Sequence, residues 1–298
     1  MAFQIDTNLH WTDHYVRYGF CVIKRAVPKP FCEAGVAAYQ KALGTSLPPQ
    51  QWSTETLSHE HLHGRINLHD PELRSTLETV YDLPGVQEIA ATMFGGYDKW
   101  SGMQAAAPFL AVYHEENEQS LMDYGHVDFA EVRIPIIGDA LVMQISLVDT
   151  EPFSGNITIY PSIHKPLQQR LLNDEGFWYA DTGPRHDAWR AFTGVIDPYE
   201  FVAEAGDVLL FHHQVGHGGN VNAAANRSPR VAIHAQLSQK DWPNAVDPDR
   251  PNISPWERSV SLNGKIDLPY DERTRQAEAY QERASRASRP PQADKVES

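Results

Sequence analysis

The stretch Ala205-Gly206-Asp207-Val208-Leu209-Leu210-Phe211-His212-His213-Gln214-Val215-Gly216-His217-Gly218-Gly219-Asn220 reads as a turn, an apolar strand, and then a histidine followed by two glycines. A second strand follows, Arg230-Val231-Ala232-Ile233-His234-Ala235-Gln236-Leu237. Its period of two sets Arg230, Ala232, His234 and Gln236 on one face and Val231, Ile233 and Leu237 on the other. One face of the sheet is therefore polar and interior. Outward from this pair, short apolar runs separated by turn residues predict further strands over Met103–Tyr113, Val132–Ile137, Ala140–Val148, Ile157–Tyr160 and Phe201–Ala203. The texture is that of a β-sandwich or barrel. Before it lies a helical lead-in: a helix near Thr12, a short strand at Gly19–Ile23, and helices starting near Pro28 or Pro30, at Pro71 and at Pro84, the last stopping at Gly95-Gly96. Residues 46–70 read as loop. A single domain over 1–284 is expected, with residues 165–196 inserted as a substrate loop and 285–298 as a disordered tail.

The chain has 298 residues, 41% hydrophobic and 21% charged, the balance of a globular protein. A net charge of −14 repels a phosphate backbone, which disfavours nucleic acid as a partner. Cys21 and Cys32 are too few for a disulfide framework and read as buried thiols. The first residues show no basic, then apolar, secretory pattern. The most apolar segment, Ile134–Val148, is broken by Pro135, Gly138, Asp139 and Gln144 and is too short to span a bilayer. A cytoplasmic protein without membrane contact is expected, and its oligomeric state is not readable.

No glycine-rich phosphate loop and no Gly-x-Ser-x-Gly elbow occurs, and neither cysteine has an evident base, so a metal centre is the remaining chemistry. In Tyr124-Gly125-His126-Val127-Asp128-Phe129, an extended backbone points His126 and Asp128 to the same side. Two imidazoles and one carboxylate make the facial triad that holds Fe(II) and leaves positions open for oxygen chemistry. Most His-x-Asp tripeptides are ordinary polar pairs, so the second histidine decides. His217, between small neighbours, has room for a ligand; His212 and His213 are its rivals. Arg230 on the polar face suits the far carboxylate of a dicarboxylic cosubstrate, against the alternative of a structural ion pair. His59, His61 and His63 alternate and would grip a metal if extended, though the region reads as polar loop. Trp100, Tyr113, Phe129, Trp178 and Tyr179 are pocket or core aromatics, with Phe129, next to Asp128, the first choice for substrate contact.

With His126, Asp128, His217 and Arg230 in this order, the chain resembles the phytanoyl-CoA dioxygenase-like branch of the Fe(II)/2-oxoglutarate-dependent oxygenases. Tyr18-Gly19-Phe20-Cys21-Val22-Ile23 is similar to that family's first strand, and the helix from Pro84 to Gly95 precedes the barrel as it does there. Ser154-Gly155-Asn156-Ile157-Thr158-Ile159-Tyr160-Pro161-Ser162-Ile163-His164-Lys165 is similar to its Gly-x-Leu-x-x-x-Pro-Gly-Ser-His-Lys run. The resemblance spans about residues 12–240 and implies a mainly β fold with flanking helices, a double-stranded β-helix or cupin-like jelly roll.

It further implies Fe(II) on His126, Asp128 and His217, with 2-oxoglutarate held by Arg230. The implied reaction consumes O2, releases succinate and CO2, and oxidises a C–H bond of a small-molecule substrate: hydroxylation by default, with desaturation, epoxidation or cyclisation set by substrate placement. The family's spacing from histidine to glycine favours His217 over its neighbours. Relatives that halogenate carry a small residue where this chain has Asp128, which argues for oxygenation. Two departures stand out: Ser162-Ile163-His164 replaces Gly-Ser-His, and Gly219 stands where many relatives place a hydroxyl that contacts 2-oxoglutarate. Gln144 is the candidate for an additional cosubstrate contact, with a buried amide as its alternative. Two other readings compete: a cupin-type metal enzyme with no cosubstrate, and a non-catalytic jelly-roll binding protein.

Overall fold

The computed structural model describes residues 3–121, 125–126, 140–164, 196–213, 215–239 and 253–259, with backbone only for 101–105 and 140. Helix α1 (Trp11–Tyr18) ends on Gly19, whose φ of 79° is left-handed and open to glycine without strain, so strand β1 (Phe20–Ile23) follows at once. Helices α2 (Lys29–Ala42), α3 (Pro71–Glu78) and α4 (Pro84–Phe94) each carry a proline in the first turn. Asp70 caps α3 by accepting the Leu73 N–H at 2.7 Å.

Strands β2 (Arg65–Ile66), β3 (Trp100–Ala111), β4 (Ala140–Ser146), β7 (Val208–His212) and β9 (Arg230–Gln239) join β1 in a sheet of order β1-β7-β4-β9-β3-β2. Strands β5 (Ile157–Ile159), β6 (Tyr199–Glu200) and β8 (His217–Gly219) form a second sheet of order β6-β5-β8. Pairing is antiparallel in both. Phe20, Val142, Leu209 and Phe211 from the larger sheet pack with Ile157 and Ile159 of the smaller, and this core closes the jelly roll.

The other face of the larger sheet, with Leu141, Met143, Ile145, Val231, Ile233 and Leu237, packs against Tyr39, Leu73, Leu77, Ile89 and Phe94 of the helices. The short helix α5 (Pro255–Ser259) adds Trp256 to that side. Among the described residues, no helix is long and apolar enough to cross a membrane.

The alternation read for β9 and β4 is present. Gln144 is in register with His234 and Leu209, away from its apolar neighbours Met143 and Ile145. Two readings are corrected. Phe201–Ala203 is not a strand: the ladder runs at Tyr199–Glu200, and Phe201 and Ala203 are buried on an irregular segment, Phe201 donating to the Ile157 carbonyl and Ala203 exchanging two hydrogen bonds with Thr150. Residues 46–70 are not all loop, because Leu62 and Arg65 exchange both backbone hydrogen bonds around His63-Gly64. Both turn residues have positive φ, 49° and 81°, as a two-residue hairpin of type I′ requires. The Val132–Ile137 strand, the insertion up to residue 195 and the 285–298 tail lie outside the described residues.

Cys21 and Cys32 are free and buried, and burial raises both thiols, Cys32 to about 11. The hydroxyl of Tyr39, fully buried on α2, donates to the Ala232 carbonyl at 2.7 Å and clamps the helical layer to β9. Tyr39→Phe removes that donor and is expected to cost about 1–2 kcal/mol and lower Tm by roughly 2–6 °C, measured by urea and thermal unfolding.

Candidate functional site

The interior of the jelly roll is apolar toward β1 and polar where β9 begins. Residues directly opposite on neighbouring strands share a face, so the ladder registers define rows across the larger sheet. One row is Arg230 on β9, Ala111 on β3 and Arg65 on β2; the next holds Ser146, Ala232 and Phe109; the next Gln144, His234 and Ala107. Across the interior, β8 supplies His217 and Gly219.

His126 and His217 form an antiparallel bridge. The His126 N–H donates to the His217 carbonyl at 2.8 Å, and the His217 N–H to the His126 carbonyl at 2.9 Å. Both side chains therefore leave on one side, with ring centroids 4.4 Å apart. The approach depends on Gly125, where a Cβ would sit 2.2 Å from the His217 carbonyl oxygen. His217 Nδ1 lies 2.9 Å from the Val215 carbonyl. Because a carbonyl only accepts, Nδ1 carries the proton and the neutral ring keeps its lone pair on Nε2, the arrangement metal-binding imidazoles use. Phe211 backs the His217 ring at 4.5 Å.

Arg230 is 4% exposed, and among the described residues no carboxylate pairs with it. Among the described residues its Nε has no hydrogen-bond partner, and its guanidinium lies 5.7 Å from the Phe109 ring centroid. Desolvation first, and the nearby Arg65 second, push the guanidinium down to about 10, so at neutral pH it remains a cation. Gln144 is 2% exposed, and its Oε1 has no partner among the described residues. Two facing imidazoles, a desolvated cation and an orphaned amide oxygen fit a divalent metal ion with a bound dicarboxylate: the imidazoles suit the metal and the guanidinium fork suits a carboxylate.

The structure pairs His126 with His217, sets Arg230 against Gly219 two residues beyond His217, and places Gln144 in the row of His234 on the same face of the larger sheet as Arg230. Asp128 and Phe129 lie outside the described residues, as do Trp178 and Tyr179. His212 and His213 belong elsewhere: their rings stack at 4.3 Å, and His212 neighbours Tyr15 and His164. His61 and His63 are exposed at the β2 turn, and among the described residues no cluster of three metal-ligating side chains forms there. Trp100 packs against the helical core, and Tyr113 lies under Arg227. Ser162 has φ 65°, the conformation glycine takes easily, at the position where the resemblance calls for Gly.

Sequence reasoning missed two interior residues. Phe109 is 39% exposed and rims an open cleft of about 500 Å³ together with Asn67, His69 and Arg74. Arg65 is the other; the signal that could have found it is the His63-Gly64 turn, which starts a strand at residue 65.

No protein-family model matches the chain, and no curated protein matches it in sequence. Solved structures are similar to it. The epimerase SnoN in complex with Fe3+, alpha ketoglutarate and nogalamycin RO shares 19% identity with a TM-score of 0.52, over 76% of this chain and 82% of that one. AviO1 from Streptomyces viridochromogenes Tue57 shares 17% with a TM-score of 0.52, over 79% and 96%. EctD from S. alaskensis with 2-oxoglutarate and 5-hydroxyectoine shares 15% with a TM-score of 0.51, over 78% and 76%. At these identities the likeness is one of fold, and it is the jelly roll described above.

Replacing either bridged histidine tests the metal assignment. His126→Ala and His217→Ala are expected to weaken Fe(II) or Co(II) binding by more than about 100-fold, while His213→Ala leaves it unchanged, read by anaerobic metal titration.

Proposed function

We propose that the protein is a non-haem Fe(II)- and 2-oxoglutarate-dependent oxygenase of the phytanoyl-CoA dioxygenase-like branch, acting on a small metabolite. The observation that carries this reading is the pairing of two bridged imidazoles with a buried guanidinium that no described carboxylate neutralises, all in one end of a jelly roll. Structures of similar fold hold iron and 2-oxoglutarate, which supports it.

In this reading His126, His217 and Asp128 hold Fe(II), and Arg230 holds the distal carboxylate of 2-oxoglutarate. When bound, iron, cosubstrate and O2 supply the oxidising power, with succinate and CO2 released and a substrate C–H bond oxidised. The chain's own part is placement. The peptide bridge fixes the angle between the two imidazoles, and the Val215 carbonyl holds the proton of His217 on Nδ1. Arg230 orients the cosubstrate from the opposite sheet, and Phe211 and Phe109 keep water from the imidazole and guanidinium faces. The Gln144 carboxamide, directly beside His234 in the ladder, offers a neutral polar contact to cosubstrate or substrate. Phe129 serves as the substrate-side aromatic next to Asp128.

Hydroxylation is the default outcome. An alpha ketoglutarate dependent epimerase has a similar fold, which supports an outcome set by substrate placement, with desaturation, epoxidation or cyclisation as alternatives. Two buried free cysteines fit a cytoplasmic enzyme, and secondary metabolism is the expected setting. One catalytic domain over 1–284, with 165–196 as its substrate loop, completes the proposal.

The deciding experiment adds Fe(II) and then 2-oxoglutarate to metal-free protein without oxygen, and follows the visible charge-transfer band of the chelate. The band is expected in wild type, absent in Asp128→Ala, and displaced to at least about 10-fold higher 2-oxoglutarate in Arg230→Met. Iron uptake with no band would favour a cupin-type enzyme or a binding protein instead.

Arg230 also makes a stability prediction. Its folded pKa, about 10, is below the ordinary arginine value, so the protonated side chain costs folding free energy at neutral pH and the cost fades as pH rises past ten. Ligand-free Arg230→Met should therefore unfold at the same or a higher temperature than wild type at pH 7, with the gap closing at alkaline pH.

A further inference from the structure

We infer that the open cleft at the edge of the larger sheet is where substrate enters, and that Phe109 is its specificity-determining residue, selecting a flat, neutral ring compound that carries acceptor oxygens. The inference deepens the oxygenase reading above and rests on it for calling the ligand a substrate. Strand β2 covers only Leu110 and Ala111 of β3, so among the described residues the strand up to Phe109 is the outer edge of the sheet. Pro108 has no N–H to offer at that edge, which suits it to a small molecule and not to an added strand. The cleft lying against it, about 500 Å³, falls within the roughly 300–1,000 Å³ of small-molecule sites.

Phe109 belongs to the interior and to the cleft at once. It is in register with Ala232, two residues from Arg230 on the same face of β9, and the Arg230 guanidinium lies over its ring at 5.7 Å. Even so, the residue is 39% exposed and lines the cleft. Aromatic surface left in water at an interior-facing position is burial that a ligand can complete. Rings continue inward from it: His234 at 5.1 Å, then Phe211 at 6.3 Å from His234 and 4.5 Å from His217, which faces His126 at 4.4 Å. A ring seated on Phe109 therefore sits at the outer end of a wall whose inner end is the bridged imidazoles.

The rest of the lining sets the chemistry of the ligand. Leu68, Pro71 and Pro108 offer apolar surface to the face of a ring, while Asn67, His69 and Arg74 bring donors to its edge. The carboxylates beside them are committed elsewhere: Asp70 caps α3 through the Leu73 N–H, and Glu78 accepts from Arg74 Nε at 3.3 Å. With Arg74 paired to Glu78 and a net charge of −14 on the chain, the cleft does not attract an anion. Neutral acceptor oxygens on a flat ring fit it.

The test uses full-length protein and two fluorescent probes of equal ring size: 7-methoxycoumarin, which carries a lactone, and 2-methoxynaphthalene, which lacks it. Wild type is expected to bind the coumarin saturably and the naphthalene roughly 3- to 10-fold more weakly, the scale of one neutral hydrogen bond. Phe109→Ala should weaken coumarin binding at least about 10-fold, and Phe109→Leu, which keeps apolar bulk without a flat face, by a smaller factor. Phenylglyoxal should also modify Arg230 several-fold faster in Phe109→Ala than in wild type, relative to exposed Arg17 and mapped by mass spectrometry. No saturable coumarin binding, equal binding of the two probes, or coumarin binding or Arg230 reactivity that Phe109→Ala leaves unchanged, overturns the inference. Every arm runs without iron or 2-oxoglutarate, so a missing charge-transfer band brings down the oxygenase reading and leaves these results standing.

Discussion

A guanidinium with its water removed and no described carboxylate beside it is costly to bury, and the polar end of the jelly roll is arranged around it. Arg230 opens β9, which lies between β4 and β3 near the middle of the larger sheet and is clamped from outside by Tyr39 through the Ala232 carbonyl. From the facing sheet, Gly219 approaches closely enough that a Cβ there would lie 2.9 Å from Arg230 Nη1. A buried cation with no carboxylate beside it among the described residues is what an anion site requires before its ligand arrives.

The imidazole side is set by different means. Two peptide hydrogen bonds bring His126 and His217 together, with Gly125 making the approach possible. Each imidazole then needs only its tautomer fixed, and for His217 the Val215 carbonyl does this two residues away. The bridge belongs to the smaller sheet and the cation to the larger. Their separation is therefore governed by the apolar core of Phe20, Val142, Leu209, Phe211, Ile157 and Ile159 that sets how far apart the sheets lie.

How much of this the sequence disclosed follows from how each element is encoded. The ten residues of β9 repeat polar and apolar positions long enough for a period of two to show, so the sequence alone assigns Arg230, His234 and Gln236 to one face. The helices α2, α3 and α4 are legible from prolines in their first turns, and the end of α4 from Gly95-Gly96. Arg65 was not, because a two-residue strand has no period and three neighbouring histidines suggest a metal loop instead; its position is written in a turn of two residues with positive φ. Phe201–Ala203 failed the other way. Its alternation reflects burial alone, while the hydrogen-bonded ladder sits two residues earlier at Tyr199–Glu200. The choice of His217 over His212 and His213 came from family resemblance, and what separates them physically, the bridge to His126, is a contact between distant segments that no local pattern encodes.

Because the imidazoles and the Arg230 guanidinium come from opposite sheets, any ligand that spans them binds both layers at once. In the proposed function that ligand is the cosubstrate, chelated at one end and held by Arg230 at the other. Its binding then offsets the cost of the buried cation and ties the smaller sheet to the larger, so cosubstrate affinity and the stability of this end of the jelly roll are two readings of one free energy.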